Sequence, residues 1–111
     1  MSTAPSPKPE AARLFAALGD RTRLTLIARL ASGEPQSIAR LAAGAGMTRQ
    51  AVAKHLRVLE RARMVRAARI GRESRYRLEP ASLAQAQSYL EDVSRQWDQA
   101  IERLRALVED A

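Results

Sequence analysis

The feature that most constrains this chain is a heptad repeat near its C-terminus. Leu83, Leu90, Trp97 and Leu104 recur every seven residues, and Ala86, Val93, Ala100 and Leu107 follow with the same period three positions later. Ile101 and Val108 widen the stripe toward its end. Apolar a and d positions sustained over almost four heptads call for one long helix. Pro80 is placed to open it, because the first helical turn does not need the N–H that proline lacks. A helix of nearly 30 residues spans about 40 Å at ~1.5 Å per residue. A chain of 111 residues has room for one domain with one modest core, too small to cover such a stripe alone. Part of the stripe is expected to pack on its own domain, and the surplus to be buried by a second copy, most simply across a two-fold axis. Leu90, Val93, Trp97, Ile101 and Leu104 then form the dimer seam, with Leu14, Phe15 and Leu18 of the first helix as its partner surface.

The rest of the composition narrows the class. Apolar residues make up 46% of the chain and aromatics only 4%, with Ala and Leu dominant, a mix that favours helix over sheet. No cysteine is present, so disulfides and thiolate-held metals are excluded, and a single histidine excludes a multi-histidine site. The opening Met1-Ser-Thr-Ala-Pro-Ser-Pro-Lys-Pro segment has no apolar core and is not a signal peptide. No later stretch approaches membrane-span length, so a cytoplasmic location is expected, without a membrane partner. No glycine-rich phosphate loop, nucleophile motif or metal constellation is visible, which argues against an enzyme and for no cofactor.

Residues 1–9, with three prolines, read as a disordered arm ahead of a single domain over 10–111. A short helix is expected from about Pro9 to Leu18, ended by Gly19, with Asp20 capping the next over about 21–32. In that second helix Leu24, Ile27, Ala28 and Ala31 stand at helical spacing, with Leu26 and Leu30 alongside. Ser32-Gly33-Glu34-Pro35 breaks it, and a third helix runs from about Gln36 to Ala43. Gly46 suits a turn, and Thr48 caps a fourth helix reaching about Ala62. Between Met64 and Leu78 the helical period fails, and Ser74, Tyr76 and Leu78 alternate with Arg75 and Arg77, the period of a strand. This segment reads as one β-hairpin. The chain is thus mainly α with a small hairpin, in the order ααααββα.

Helices three and four have the spacing of a helix-turn-helix. Leu41 and Ala42 lie on the first, where small Ala42 admits the second closely, Met47 packs inward, and Val52, Leu56 and Leu59 form the buried stripe of the second. The opposite face carries Gln50, Ala53, Lys54, Arg57 and Arg61. Residues 49–77 hold ten Arg or Lys against only Glu60 and Glu73, whereas 79–111 are net acidic. A helix apolar behind and basic in front, inside a basic block, is suited to the major groove of double-stranded DNA. Arg and Gln can make bidentate hydrogen bonds to guanine and adenine edges, while Thr48 and Lys54 suit phosphates. The expected DNA-facing set is Thr48, Arg49, Gln50, Lys54, Arg57 and Arg61, with Arg69, Arg72, Arg75 and Arg77 of the hairpin acting as a wing. An architectural or RNA-binding winged helix without sequence preference shares the basic block and is the alternative.

Leu14-Phe-Ala-Ala-Leu-Gly-Asp-Arg-Thr-Arg23, Ala53-Lys-His-Leu-Arg-Val-Leu-Glu60 and Gly71-Arg-Glu-Ser-Arg-Tyr-Arg-Leu78 together resemble the ArsR/SmtB family of winged-helix repressors over roughly residues 10–108. The resemblance implies a homodimer that occupies an operator and leaves it when an inducer binds; the inducer itself is not named by the sequence. Where metal-sensing members carry a Cys-x-Cys pair, this chain has Ser37 and Ala39, and its last helix has no histidine. Glu91, Asp92 and Asp98 there read as a solvated face. The resemblance therefore points to the branch without metal. Arg63 stands where the family has glycine, which would cost on the order of 1 kcal/mol if the backbone there needs positive φ. His55, between the buried stripe and the basic face, reads as a packed residue bonded locally to its helix; a phosphate contact or pH switch is the other reading.

Overall fold

Four capped turns fix where the helices begin and end in the computed structural model, which describes residues 9–110. Helix α1 is Pro9–Leu18, so Pro9 of the expected arm over residues 1–9 is helical, and the rest of that arm lies outside the described residues. Asp20 then accepts the Arg23 N–H at 3.0 Å and caps α2, Arg21–Leu30. Ser37 accepts the Arg40 N–H at 3.1 Å and caps α3, Ile38–Ala45. Gly46, at φ 64°, closes α3 in the left-handed conformation that glycine adopts without a Cβ clash. Thr48 accepts the Ala51 N–H at 3.1 Å and starts α4, Arg49–Arg61.

The strands β2, Val65–Ile70, and β3, Glu73–Leu78, pair antiparallel with Ala67 opposite Tyr76. Gly71 and Arg72 make the two-residue turn, and positive φ falls only on Gly71, the pattern of a type II′ hairpin. The hairpin is joined by a strand the sequence pattern does not reveal. Gln36–Ser37, β1, pairs with the outer side of β3, giving a three-stranded sheet in the order β1-β3-β2. The expected helical start at Gln36 is thus displaced to Ile38: Gln36 is buried, pairs with Tyr76, and donates to the Arg29 carbonyl at 2.9 Å. Two residues are too few to show a period of two.

The core gathers Leu14 and Ala17 of α1, Leu26 and Leu30 of α2, Leu41 and Ala42 of α3, and Val52, Leu56 and Leu59 of α4, with Met64, Val65 and Ala86. For α2 the expected stripe faces inward only at Ile27, which is half-buried against the core. Leu24 is 50% exposed, and Ala28 and Ala31 face solvent, while Leu26 and Leu30, one turn apart, are buried. Leu26, Ile27 and Leu30 together bury more apolar area than a face that includes two alanines, so the helix turns that face inward.

The long helix α5, Pro80–Glu109, has its proline in the first turn. Only its N-terminal part is covered: Ala86 is buried and Leu83 packs on the core, with Tyr89 meeting Phe15 at a ring-centroid distance of 5.5 Å. Beyond that, Leu90, Trp97 and Leu104 are 54%, 67% and 62% exposed, and Val93, Ile101, Leu107 and Val108 are exposed with them. The molecule is correspondingly elongated, 68 × 24 × 21 Å. Leu14, expected on the partner surface, is 1% exposed inside the protomer's own core and is not available to a second copy; Phe15 and Leu18 remain half-buried. A ten-residue helix packed on both the core and α5 turns Ala11, Leu14 and Ala17 inward.

Candidate nucleic-acid interface

Helix α4 is apolar on one side and polar on the other. Val52, Leu56 and Leu59 are fully buried, which fixes the helix rotation and leaves Arg49, Gln50, Lys54, Arg57 and Arg61 in solvent. Thr48 spends one lone pair of its side-chain oxygen on the cap, which leaves the hydroxyl proton and the second lone pair for a further contact.

The N-terminal end of α4 faces a cleft of about 540 Å³. Arg49, Gln50 and Ala53 line one side, Ser37, Ile38 and Ala39 of the α3 start line another, and Arg72, Glu73 and Ser74 of the hairpin tip close the third. The fold therefore brings Arg49, Gln50 and Arg72 together, although 22 residues separate Gln50 from Arg72 in the chain. Arg61 is not part of this group. It lies at the other end of α4, beside Arg13 of α1.

The hairpin arginines divide by strand parity. Arg69 lies opposite Ser74, on the face shared with Tyr76 and Leu78, which pack on the core. Arg75 and Arg77 are on the other face, so the four expected wing arginines do not form one surface. Arg75 is half-buried and paired with Glu73 at 3.2 Å, which reduces its free charge. Arg77 lies directly opposite Arg66, a like-charge pair that is unfavourable across a strand, and Arg66 is offset by Glu79 at 3.6 Å.

His55 bonds across the fold rather than within its own helix. Its Nδ1 is 3.4 Å from an Arg23 guanidinium nitrogen and 3.9 Å from Asp20 Oδ1. Arginine only donates, so Nδ1 accepts from Arg23 when the ring is neutral and faces the Asp20 carboxylate when it is protonated. Arg23 also donates to the Ala17 carbonyl, so one side chain ties the α1 end to α4. The Arg23 backbone N–H holds the Asp20 carboxyl below its ordinary range, with the Arg23 guanidinium and His55 adding to the effect against partial burial. Burial, helped by the Glu60 carboxylate and opposed by Arg57, raises the Tyr76 phenol and keeps it neutral.

Where α4 ends, Arg63 has φ 60°, and it is the one non-glycine residue with positive φ among the described residues. The expectation from its position is met: the turn uses a left-handed residue. Two bonds from the start of α5 hold this turn in place. The buried Ser82 hydroxyl donates to the Arg63 carbonyl, and the Glu79 N–H donates to the Met64 carbonyl at 2.8 Å. Arg63→Gly should relieve about 1–2 kcal/mol of strain, partly offset by ~0.4–1 kcal/mol of added unfolded-state entropy. A net gain of roughly 0.5–1 kcal/mol is expected in urea denaturation at fixed protein concentration. A lower midpoint for the variant would mean that the arginine is not strained there.

Neither position at which the resemblance places the cysteines of metal sensors offers a strong ligand: Ser37 is occupied as a cap and Ala39 has no donor. Among the described residues, no three or more His, Asp or Glu side chains are gathered where they could hold an ion. Likewise no helix is long and apolar enough to cross a membrane.

A helix-turn-helix followed by a two-stranded wing, with a free basic face on its second helix, defines a winged-helix DNA-binding protein. Residues 18–67 match a family described as a helix-turn-helix domain. The chain is 36% identical over 109 residues to the HTH-type transcriptional regulator Rv2034 of Mycobacterium tuberculosis H37Rv, covering 98% of this chain and 94% of that protein. Among solved structures, an ArsR-like transcriptional regulator from Rhodococcus sp. RHA1 is 36% identical with a TM-score of 0.78, over 88% of this chain and 92% of that one. The AntR antimony-specific transcriptional repressor is 32% identical with a TM-score of 0.63, over 88% and 90% of the two chains. The chain belongs to the ArsR family of transcriptional regulators. It is a DNA-binding regulator and not an enzyme.

Proposed function

We propose that this regulator is a repressor that acts as a homodimer on a two-fold-symmetric operator in double-stranded DNA. The observation that carries the reading is the apolar stripe of α5 from Leu90 to Val108, exposed in a single chain. A stripe of this length is far larger than the scattered apolar residues of an ordinary surface and marks an association face. Its heptad spacing suits a second copy of the same helix. A two-fold pairing would set two copies of α4 side by side, to enter successive major grooves about one helical turn apart. Repression is the role named for AntR, and blocking polymerase access needs no further activity from a protein this small.

In this reading Gln50 and Arg57 read bases, Arg49 and Lys54 hold phosphates, and Arg72 at the hairpin tip reaches the backbone or the minor groove. Arg72→Ala should lower affinity on all sequences alike and reduce the salt-dependence slope by about one unit. An unchanged slope would put the wing off the DNA. The function as a whole is tested by fluorescence anisotropy at one fixed salt concentration, comparing the duplex upstream of the protein's own coding region with a shuffled duplex. Sequence-specific regulation predicts a preference of at least about 10³-fold. Equal affinity would make the protein a non-specific nucleic-acid binder.

A further inference from the structure

We propose that the notch between α1 and the last turn of α4 is a binding site for a small amphipathic carboxylate. It encloses about 230 Å³ and is lined by Arg13, Ala16 and Ala17 of α1 and by Val58, Arg61 and Ala62 at the α4 end. It exists because alanines meet where the two helices cross: Ala16, Ala17 and Ala62 leave space that a larger side chain would fill, and Val58 forms the wall. The floor is therefore apolar, and the only charged lining groups among the described residues are two guanidiniums. Neither Arg13 nor Arg61 takes part in an ion pair among the described residues, and both are exposed. Two larger cavities among the described residues differ in kind, since each sets a glutamate beside its arginines.

This combination selects a ligand. An apolar floor takes hydrocarbon or an aromatic ring, and guanidiniums at the rim take a carboxylate by paired hydrogen bonds. The volume is below the ~300–1,000 Å³ usual for drug-sized ligands, so the occupant is small, of the size of hexanoate or benzoate. The position gives such a ligand leverage. Arg61 is on α4, and α1 packs on α5, so an anion bound between Arg13 and Arg61 would neutralise a charge on the proposed DNA-binding helix and brace it against α1, the helix that touches α5. Only this regulatory consequence rests on the proposed function; the site itself does not.

The test is an amide NMR titration of the isotopically labelled full chain with hexanoate and benzoate, at matched ionic strength, with 1-hexanol and inorganic phosphate as comparators. Saturable shifts confined to α1 and the end of α4 are expected for the two carboxylates. The Arg13→Ala/Arg61→Ala variant and 1-hexanol should each show about tenfold weaker binding, because the charged hydrogen bonds are removed. Ala16→Phe, at an exposed position where the ring can fill the notch, should abolish the shifts while leaving the rest of the spectrum intact. The proposal is overturned by an absence of saturable shifts at millimolar carboxylate. It is equally overturned if 1-hexanol binds as well as hexanoate, or if Ala16→Phe binds normally. A second arm measures duplex affinity with and without hexanoate. Weakening in the wild type but not in Ala16→Phe supports the regulatory role, and no weakening despite binding overturns that role. Loss of duplex binding without any ligand would instead refute the DNA reading and leave the titration result standing.

Discussion

Val93→Asp is expected to leave the protein monomeric at micromolar concentration and to remove tight operator binding with it. Val93 lies near the start of the exposed α5 stripe, between Leu90 and Trp97. In the proposed dimer an aspartate there sits in an apolar seam, and its neighbours one turn away on its own helix, Tyr89, Leu90, Gln96 and Trp97, include no cation. An unpaired buried charge costs about 3–5 kcal/mol, and a two-fold interface carries the substitution twice. Trp97→Ala separates this effect from damage to the protomer. Trp97 is 67% exposed in a single chain, so truncating it disturbs little of the protomer's own packing. Burying that exposed area in a dimer removes on the order of 150 Å² from water, worth about 4 kcal/mol at ~25 cal/mol per Å². Both variants should therefore weaken DNA binding without altering any DNA-facing residue. Sedimentation of the wild type and both variants decides the matter. A monomeric wild type, or a Val93→Asp protein that stays dimeric and active, would show that the stripe has another use.

The second large effect is expected at α4. If Gln50 and Arg57 both read bases, each bidentate pairing is worth about 1–3 kcal/mol of discrimination. Removing both side chains together should then weaken operator binding by roughly 10²- to 10⁴-fold. The two single variants should behave differently. Gln50 is uncharged and lies beside Arg49 and Arg72 at the mouth of the cleft, so Gln50→Ala should relax preference at one base position and leave random-duplex affinity unchanged. Arg57 also carries charge, and Arg57→Ala should weaken both kinds of duplex. A double variant that binds the operator normally would mean that α4 is not the reading helix.

How much of the fold and the site is legible in the sequence depends on how long each pattern runs. The 13 residues of α4 and the 30 of α5 repeat their apolar positions often enough that period and face are both readable. In α2 an apolar residue stands at 24, 26, 27, 28, 30 and 31, so almost any face looks buried, and the choice made by the core is not visible locally. Two residues of β1 show no period at all. Leu14 belongs to the core rather than to a partner surface because α1 serves the core and α5 together, a division that only packing reveals. The strained turn at Arg63 is foreshadowed by the family's glycine, but its hydrogen bond to Ser82, 19 residues on, is not. Similarly, the partners of His55 are 32 and 35 residues away in sequence, and the notch by Arg61 joins positions 13 and 61. Contacts of that kind arise from tertiary packing and leave no local signal.

In the proposed dimer two copies of α4, held by α5, read two half-sites. Hydroxyl-radical footprinting of the wild-type protein on a duplex selected from a random pool tests it most directly. Two equivalent protected patches related by a two-fold axis are expected, with centres about 10–10.5 base pairs apart or a multiple of that spacing. A single protected patch, or uniform protection without sequence preference, would contradict it.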